Sequence, residues 1–415
     1  MAQQPTCPFR LDPAGSDFAG ESARLRALGP ATRVELPDAV EAWSITGVDL
    51  LKELLNDPRV SKDPNRHWPA YINGEISQEW PLFLWIAVTN MFTAYGEDHM
   101  RLRKLVAKAF TPRRTAAMRP RIEEITGDLL DAIAATPAGE PVDLRAALAH
   151  PLPIKVICDL FGVPDKARDE LRRAVDSVFN AAAPPEEVAA TQVTLYGLLA
   201  DLVSSKRAAP GDDMTSDLIS ARSDDGSGLS EAELLDTLLL TISAGFETTV
   251  NLLDNAITAL LTHPDQLALV RSGGATWDDV IDEALRWKAP VPNLPLRFAV
   301  EDIELEGGVT IRQGDAILAA YGAAGRDPQV HGETAEEFDI TRPTRRDHLA
   351  FGYGAHYCLG VSLARLEAAI VLPALFERFP DLTLAVPADR LESLGTMLAN
   401  GHKAVPALLR PMAAV

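Results

Sequence analysis

The segment Phe351-Gly352-Tyr353-Gly354-Ala355-His356-Tyr357-Cys358-Leu359-Gly360 decides how this chain is read. Its glycines permit a tight turn and let the backbone approach a flat ligand closely. Its cysteine stands just before Leu359 to Phe376, where the apolar spacing predicts a helix. Amide groups at a helix start stabilise a thiolate and donate hydrogen bonds to its sulfur. A buried structural cysteine accounts for a lone thiol, but not for glycines and a histidine gathered around it.

Working outward, the most extended pattern begins after Leu229. Ser230-Glu231-Ala232-Glu233 has the form of a capping box, and helical spacing then continues to about Leu261, before His263-Pro264. Leu234, Leu235, Leu238, Leu239, Leu240 and Ile242 make this helix apolar on more than one side, so it is expected to cross the interior. Its middle, Ala244-Gly245-Phe246-Glu247-Thr248-Thr249, carries charged and hydroxylated residues where burial makes them costly. Local bonds that cap or bend the helix are the plain alternative for them. A second capping box, Thr276-x-x-Asp279, starts a helix to Trp287.

Further helices are predicted over 98–108, 113–135, 150–161, 165–180 and 188–206, with a break at Ala181 to Pro185. Strand-like pieces occur at Thr32 to Leu36, Ala42 to Ile45, Leu296 to Ala299, Val309 to Ile311 and Ala316 to Ala320. Residues 61–90 read as a long loop holding Trp68, Tyr71, Trp80, Phe83 and Trp85. Length alone would allow several domains. No linker or repeat divides the chain, so the expectation is one domain over 1–415, mainly α with a minor β region.

The formal net charge of -20 argues against a surface devoted to nucleic acid or anionic membrane. One stretch opposes that balance: His99 to Arg114 carries Arg101, Arg103, Lys104, Lys108, Arg113 and Arg114 and no acid. Cys7, Cys158 and Cys358 are too few and too widely spaced for a disulfide framework or a zinc site. Cys158 reads as a core residue and Cys7 as chemically idle. The N-terminal MAQQPTCPFRLDPAG does not read as a signal peptide, and no apolar run reaches the ~18 residues of a membrane span. The expected location is cytoplasmic.

The thiol segment resembles the cytochrome P450 signature F-x-x-G-x-x-x-C-x-G at Phe351, Gly354, Cys358 and Gly360. The resemblance implies that Cys358 is the axial ligand of haem b, with Phe351 packed near its sulfur and His356 bonding a propionate. His99 and Arg103 match an H-x-x-x-R pair that meets the propionates, and Arg297 matches a further propionate-binding arginine. Glu283-x-x-Arg286 is similar to the superfamily's structural ion pair, with Arg342 as its third member. Ala244 to Thr249 resembles A-G-x-[DE]-T-T. There the resemblance implies that Ala244 and Gly245 lie against the haem side, Gly245 leaving room for oxygen. Thr248 contributes a hydroxyl, Glu247 a proton path and Thr249 support. Phe246 departs from the pattern, because related sequences often carry His there.

The same correspondence places substrate near Val88, Met91, Leu240, Ala244, Val291, Leu294, Met397 and Leu398, with Asn293 and Gln192 as isolated polar contacts. These side chains imply a large apolar substrate. The segments SKD…HWPAYINGE and NMFTAYGEDH are similar to an actinobacterial subgroup that includes steroid hydroxylases. The expected reaction is therefore hydroxylation of an apolar compound, a steroid first and a macrolide or other polyketide as the competitor. It would use O2 and electrons from NAD(P)H, delivered through ferredoxin reductase and ferredoxin, since no flavin or nicotinamide domain is apparent. Arg101, Lys104, Lys108, Arg113 and Arg114 are candidates for the ferredoxin surface. A peroxide-driven hydroxylase, an oxidative coupling enzyme and a non-catalytic haem or hydrophobic-ligand carrier are the other readings.

Overall fold

The computed structural model describes residues 7–179, 184–223 and 226–410. The long helix runs from Glu231 to Thr262. Its start is closed reciprocally: Glu233 N donates to Ser230 Oγ at 3.3 Å and Ser230 N to Glu233 Oε2 at 2.8 Å. Leu234, Leu238, Ile242, Phe246, Val250, Leu253, Ile257 and Leu260 are buried along it, alternating by three or four residues. Helices Pro151–Phe161, Trp277–Trp287 and Val361–Arg378 pack around it and share its apolar core. The box at Thr276 and Asp279 closes as expected.

A six-stranded sheet lies beside the helices. Its order is Phe9–Arg10, Ala31–Glu35, Glu41–Ile45, Ala316–Ala319, Leu294–Ala299 and Val60–Ser61. Together with two smaller sheets it forms the minor β part of a mainly helical fold. The strand pieces expected from sequence fall in these sheets. Ile303–Leu305, the hairpin partner of Val309–Ile311, is an addition. It is short, with only Ile303 and Leu305 apolar among acidic neighbours.

The predicted helix over 113–135 is two helices, Pro112–Ala117 and Arg119–Ala134. Pro120 sits in the first turn of the second, where its missing N–H costs least. In the expected 61–90 loop, Pro64–His67 and Pro69–Ile72 each form one helical turn begun by proline. Trp68 stacks on Phe298 and lies tilted against Trp80 there, which fixes this segment against the sheet. Of the expected break at Ala181 to Pro185, residues 181–183 lie outside the described residues, and helix Pro185–Ala208 begins just beyond them. Among the described residues no helix is long and apolar enough to cross a membrane.

Candidate active site

The thiol loop is tied at its base. Cys358 N donates to Phe351 O at 3.0 Å, and Tyr357 N to Gly354 O at 3.0 Å. Gly354 has φ +71°, and a Cβ there would lie 2.3 Å from Asn56 Oδ1 and 2.9 Å from Leu55 O. Only glycine satisfies both the backbone angle and the space. Gly360 N donates to Cys358 Sγ at 3.3 Å. Cys358 can be reached by solvent, yet protein surrounds it. That enclosure pushes its thiol pKa up, while the Gly360 N–H, Arg103 and the Val361 N–H favour the thiolate. A sulfur held this way suits metal ligation, since a bound cation removes the burial penalty on the thiolate.

Basic side chains gather beside the loop. The His99 and His356 rings lie 4.1 Å apart between centroids. Arg103 Nη2 donates to Tyr357 O at 2.6 Å. Burial, then Arg103, lowers the His99 pKa to about 4. Burial also lowers the His356 pKa, and His99, Lys62, Arg297 and Arg103 add to the shift. His99 Nε2 and Arg297 Nη1 are buried without hydrogen-bond partners. Orphaned nitrogens beside the Arg103 and Arg297 guanidiniums fit a dianionic ligand edge, which is what haem's two propionates provide. Lys62 was not anticipated from sequence. In Ser61-Lys62-Asp63 it reads as an ordinary solvated lysine, yet it is buried.

On the long helix, Leu240, Ala244 and Thr248 are less buried than most of their neighbours. Their spacing places them on one stripe. Thr248 Oγ1 donates to Ala244 O at 2.6 Å. Thr249 is buried and bonds Gly245 O at 3.4 Å, so its hydroxyl serves the helix itself. Gly245 also makes room for a side chain of the neighbouring helix. Ile157 fills the space beside it, and a Cβ would come 2.6 Å from Ile157 Cδ1. Its missing side chain admits the neighbouring helix.

Glu247 turns away from the Thr248 stripe, because adjacent residues on a helix project about 100° apart. Its Oε1 accepts from Arg145 Nη2 at 3.0 Å and from Asn251 Nδ2 at 3.1 Å. Burial raises its pKa, against Arg145, which lowers it. Ligand atoms of His150, Asp176 and Glu247 lie within 4.8 Å of one another. The fully buried Phe246 stands edge-on to His150 at 4.8 Å. A groove of about 620 Å³ opens here, lined by Arg145, His150, Ile154, Arg168 and Arg172. Cys358, Ala244 and Thr248 do not line it, so it is separate from the thiol side.

The expected substrate contacts divide. Val88, Met91, Val291 and Leu294 are half-buried. Met397 and Leu398 have no exposed surface and pack with Leu11, Trp80 and Phe298 in a second core. The Asn293 amide donates to Met397 O at 3.1 Å and is thereby engaged. These three belong to the packed core and have little free surface. Composition cannot separate core from lining, because both settings select apolar side chains.

Glu283 and Arg286 form a completely buried bidentate pair, with Nη2–Oε1 and Nε–Oε2 both 2.7 Å. Arg286 also donates to the carbonyls of Gly325, Ala335 and Glu337. Arg342 Nε reaches Glu283 Oε1 at 3.5 Å, completing the expected trio. In the basic stretch, Arg101 pairs with Glu233, Arg114 with Asp217 and Asp212, and Lys108 Nζ donates to Arg222 O. Those pairings reduce the positive surface that the sequence presents.

The loop, its orphaned cations and the buried trio define a haem-thiolate enzyme of the monooxygenase class. The chain belongs to the cytochrome P450 family, which matches residues 45–272 and 277–398. It is 48% identical to a 2-hydroxy-5-methyl-1-naphthoate 7-hydroxylase of Streptomyces carzinostaticus, over 98% of this chain and 99% of that protein. It is 41% identical to the 6-deoxyerythronolide B hydroxylase of Saccharopolyspora erythraea, over 95% and 96%. Among solved structures, a testerone-bound CYP154C4 from Streptomyces sp. ATCC 11861 superposes with a TM-score of 0.93 at 44% identity, covering 99% of this chain and 100% of that one.

Proposed function

We propose that this P450 hydroxylates a large apolar polyketide-type substrate. The observation that carries this reading is the open stripe Leu240, Ala244 and Thr248, which offers a ligand apolar surface and one hydroxyl. A substrate with much apolar area and few polar groups suits such a wall. The likeness to 6-deoxyerythronolide B hydroxylase supports the polyketide class. A steroid is the second reading, favoured by the testerone-bound relative.

Cys358 would hold haem, with His99, Arg103, Arg297 and His356 on its propionates. Thiolate-ligated haem, when bound, supplies O–O bond cleavage. Ala244 and Leu240 position substrate by contact and exclude water. Thr248 gives its hydroxyl proton to Ala244 O, so its lone pairs remain available to accept a hydrogen bond. Glu247, ion-paired with Arg145 on the far side of the helix, would pass protons from the side of His150 toward the stripe. Electrons come from NAD(P)H through a ferredoxin reductase and a ferredoxin, and O2 is the co-substrate.

Spectral titration of the ferric protein with macrolactones and steroids, followed by mass analysis of turnover products, tests the substrate class. A saturable Soret shift and an oxygenated macrolactone are expected. Shift and product with steroids alone would install the second reading.

A further inference from the structure

Lys62 and Arg297 form an unusual pair of neighbours. Val60 pairs with Ala299 and Ser61 with Phe298 in antiparallel register. The next step of that register sets Lys62 opposite Arg297. Opposed residues of an antiparallel pair project to one face of the sheet. Lys62 is 2% exposed and Arg297 4% exposed. Like charges directly opposite each other repel, and burial makes each charge costlier.

The neighbours do not compensate. Lys62 Nζ lies 3.4 Å from Pro295 O and 3.5 Å from the centre of the Phe92 ring. Arg297 Nη2 reaches only Tyr321 Oη, at 3.4 Å, and Nη1 reaches nothing. The side chains acting on Lys62 and on His356 are all basic: Arg297 for the first, and His99, Lys62, Arg297 and Arg103 for the second. Among the described residues no carboxylate pairs with Lys62 or Arg297. An amine so enclosed stays charged when an anion meets it. Phe92 offers its ring face but no negative charge, so the anion comes from outside the chain.

We infer that Lys62 is a further haem-binding residue, sharing a propionate carboxylate with Arg297 across the strand pair. This rests on the haem-thiolate reading of the site. It places a fifth basic side chain, from the first half of the chain, on an edge that the sequence assigns to His99, Arg103, Arg297 and His356. Because β-strand Val60–Ser61 is the sheet's edge strand, one carboxylate would also bind that strand to its neighbour.

The test compares wild type, Lys62→Met and Lys62→Arg, each loaded with haem or with haem dimethyl ester, whose propionates carry no charge. Haem release to apomyoglobin and the reduction potential are measured. With native haem, the Met variant should release about tenfold faster, the loss expected for one charge-assisted bond. Its potential should become more negative, since a nearby cation favours the reduced state. The Arg variant should stay near wild type. With the ester, the difference in haem release between Met variant and wild type should vanish. Unchanged release and potential in the Met variant would overturn the proposal. So would a defect that persists with the ester, or one that Arg shares with Met, because packing would then be the cause. Should the Met variant not fold, Lys62→Gln replaces it in the same comparison, and unchanged haem release in that variant overturns the assignment. A wild-type protein lacking a thiolate-type ferrous carbonyl spectrum would instead remove the underlying haem reading.

Discussion

Arg145 and Glu247 share a buried ion pair, Nη2 to Oε1 at 3.0 Å, and the same guanidinium reaches Asp254 Oδ2 through Nη1 at 2.9 Å. One cation thus serves two acids two turns apart on the long helix. Arg145 comes from a π-helical turn, Arg145–Ala149, that leads into helix Pro151–Phe161. Its N–H donors are divided among Glu247, Asn251 and Asp254, while His402 bonds Asp254 from the other side.

Arg145→Met is expected to cost about 3–5 kcal/mol, because two buried carboxylates lose their partner. Denaturant unfolding measures this. The pH sign also follows. Burial raises the Glu247 pKa and Arg145 opposes it, so removing Arg145 raises it further. Any turnover step that requires ionised Glu247 moves its rising limb to higher pH. Asp254 behaves oppositely. Burial raises its pKa, but the His402 hydrogen bond and Arg145 outweigh that, and the net shift is downward. It therefore stabilises the fold above its unfolded pKa and loses this as pH falls through the folded value. In Arg145→Met this acid-side loss becomes smaller. A variant with wild-type stability and an unmoved pH profile would contradict the assignment.

Arg286→Ala should be more damaging than a typical helix substitution. It leaves the fully buried Glu283 only Arg342 at 3.5 Å and the Asp339 N–H, and it removes a donor from three carbonyl oxygens. The expected loss is about 3–5 kcal/mol with low haem content. Arg286→Lys should recover little, since an ammonium cannot make the bidentate contact together with the carbonyl bonds. Thermal melting and haem-to-protein ratio report both effects.

Glu367→Gln should remove a pH liability. Glu367 is fully buried, both oxygens lack partners, and burial raises its pKa well above 4.5. A raised folded pKa contributes stability that is complete below the unfolded value and is lost as pH rises through the folded one. The glutamine variant should lose that decline and melt higher than wild type at alkaline pH. Parallel melting curves across pH would show that Glu367 has another partner.

Thr248→Ala keeps the helix but removes the hydroxyl on the open stripe. Product formation is expected to fall by roughly 10²-fold, the scale of positioned proton transfer, while NAD(P)H oxidation continues and yields peroxide or water. Thr249→Ala, whose hydroxyl is buried against Gly245 O, should change product yield far less. The ratio of product to NAD(P)H consumed separates them. Equal yields from both variants would deny Thr248 its special place.

Much of this could be read along the chain because it is written in local spacing. The two capping boxes, the long helix and the Cys358 loop depend on residues within a few positions of one another. The Glu283–Arg286 pair is also local, at one helical face. Its buried depth was not: an E-x-x-R pair on a solvated helix has the same spacing. Gly245 shows the same limit. Its lack of a side chain was visible, but the user of that space, Ile157, lies far away in sequence.

Sequence by itself determined the mainly helical fold and the thiol loop, since backbone geometry and short-range bonding follow from neighbouring residues. Tertiary structure decided which way each polar group faces. It turned Glu247 toward Arg145, and it took Met397 and Leu398 into the core. It also brought Lys62 beside Arg297, 235 positions apart by subtraction of their residue numbers. Burial and charge depend on what the folded chain brings close, and for these side chains the deciding partners come from distant segments.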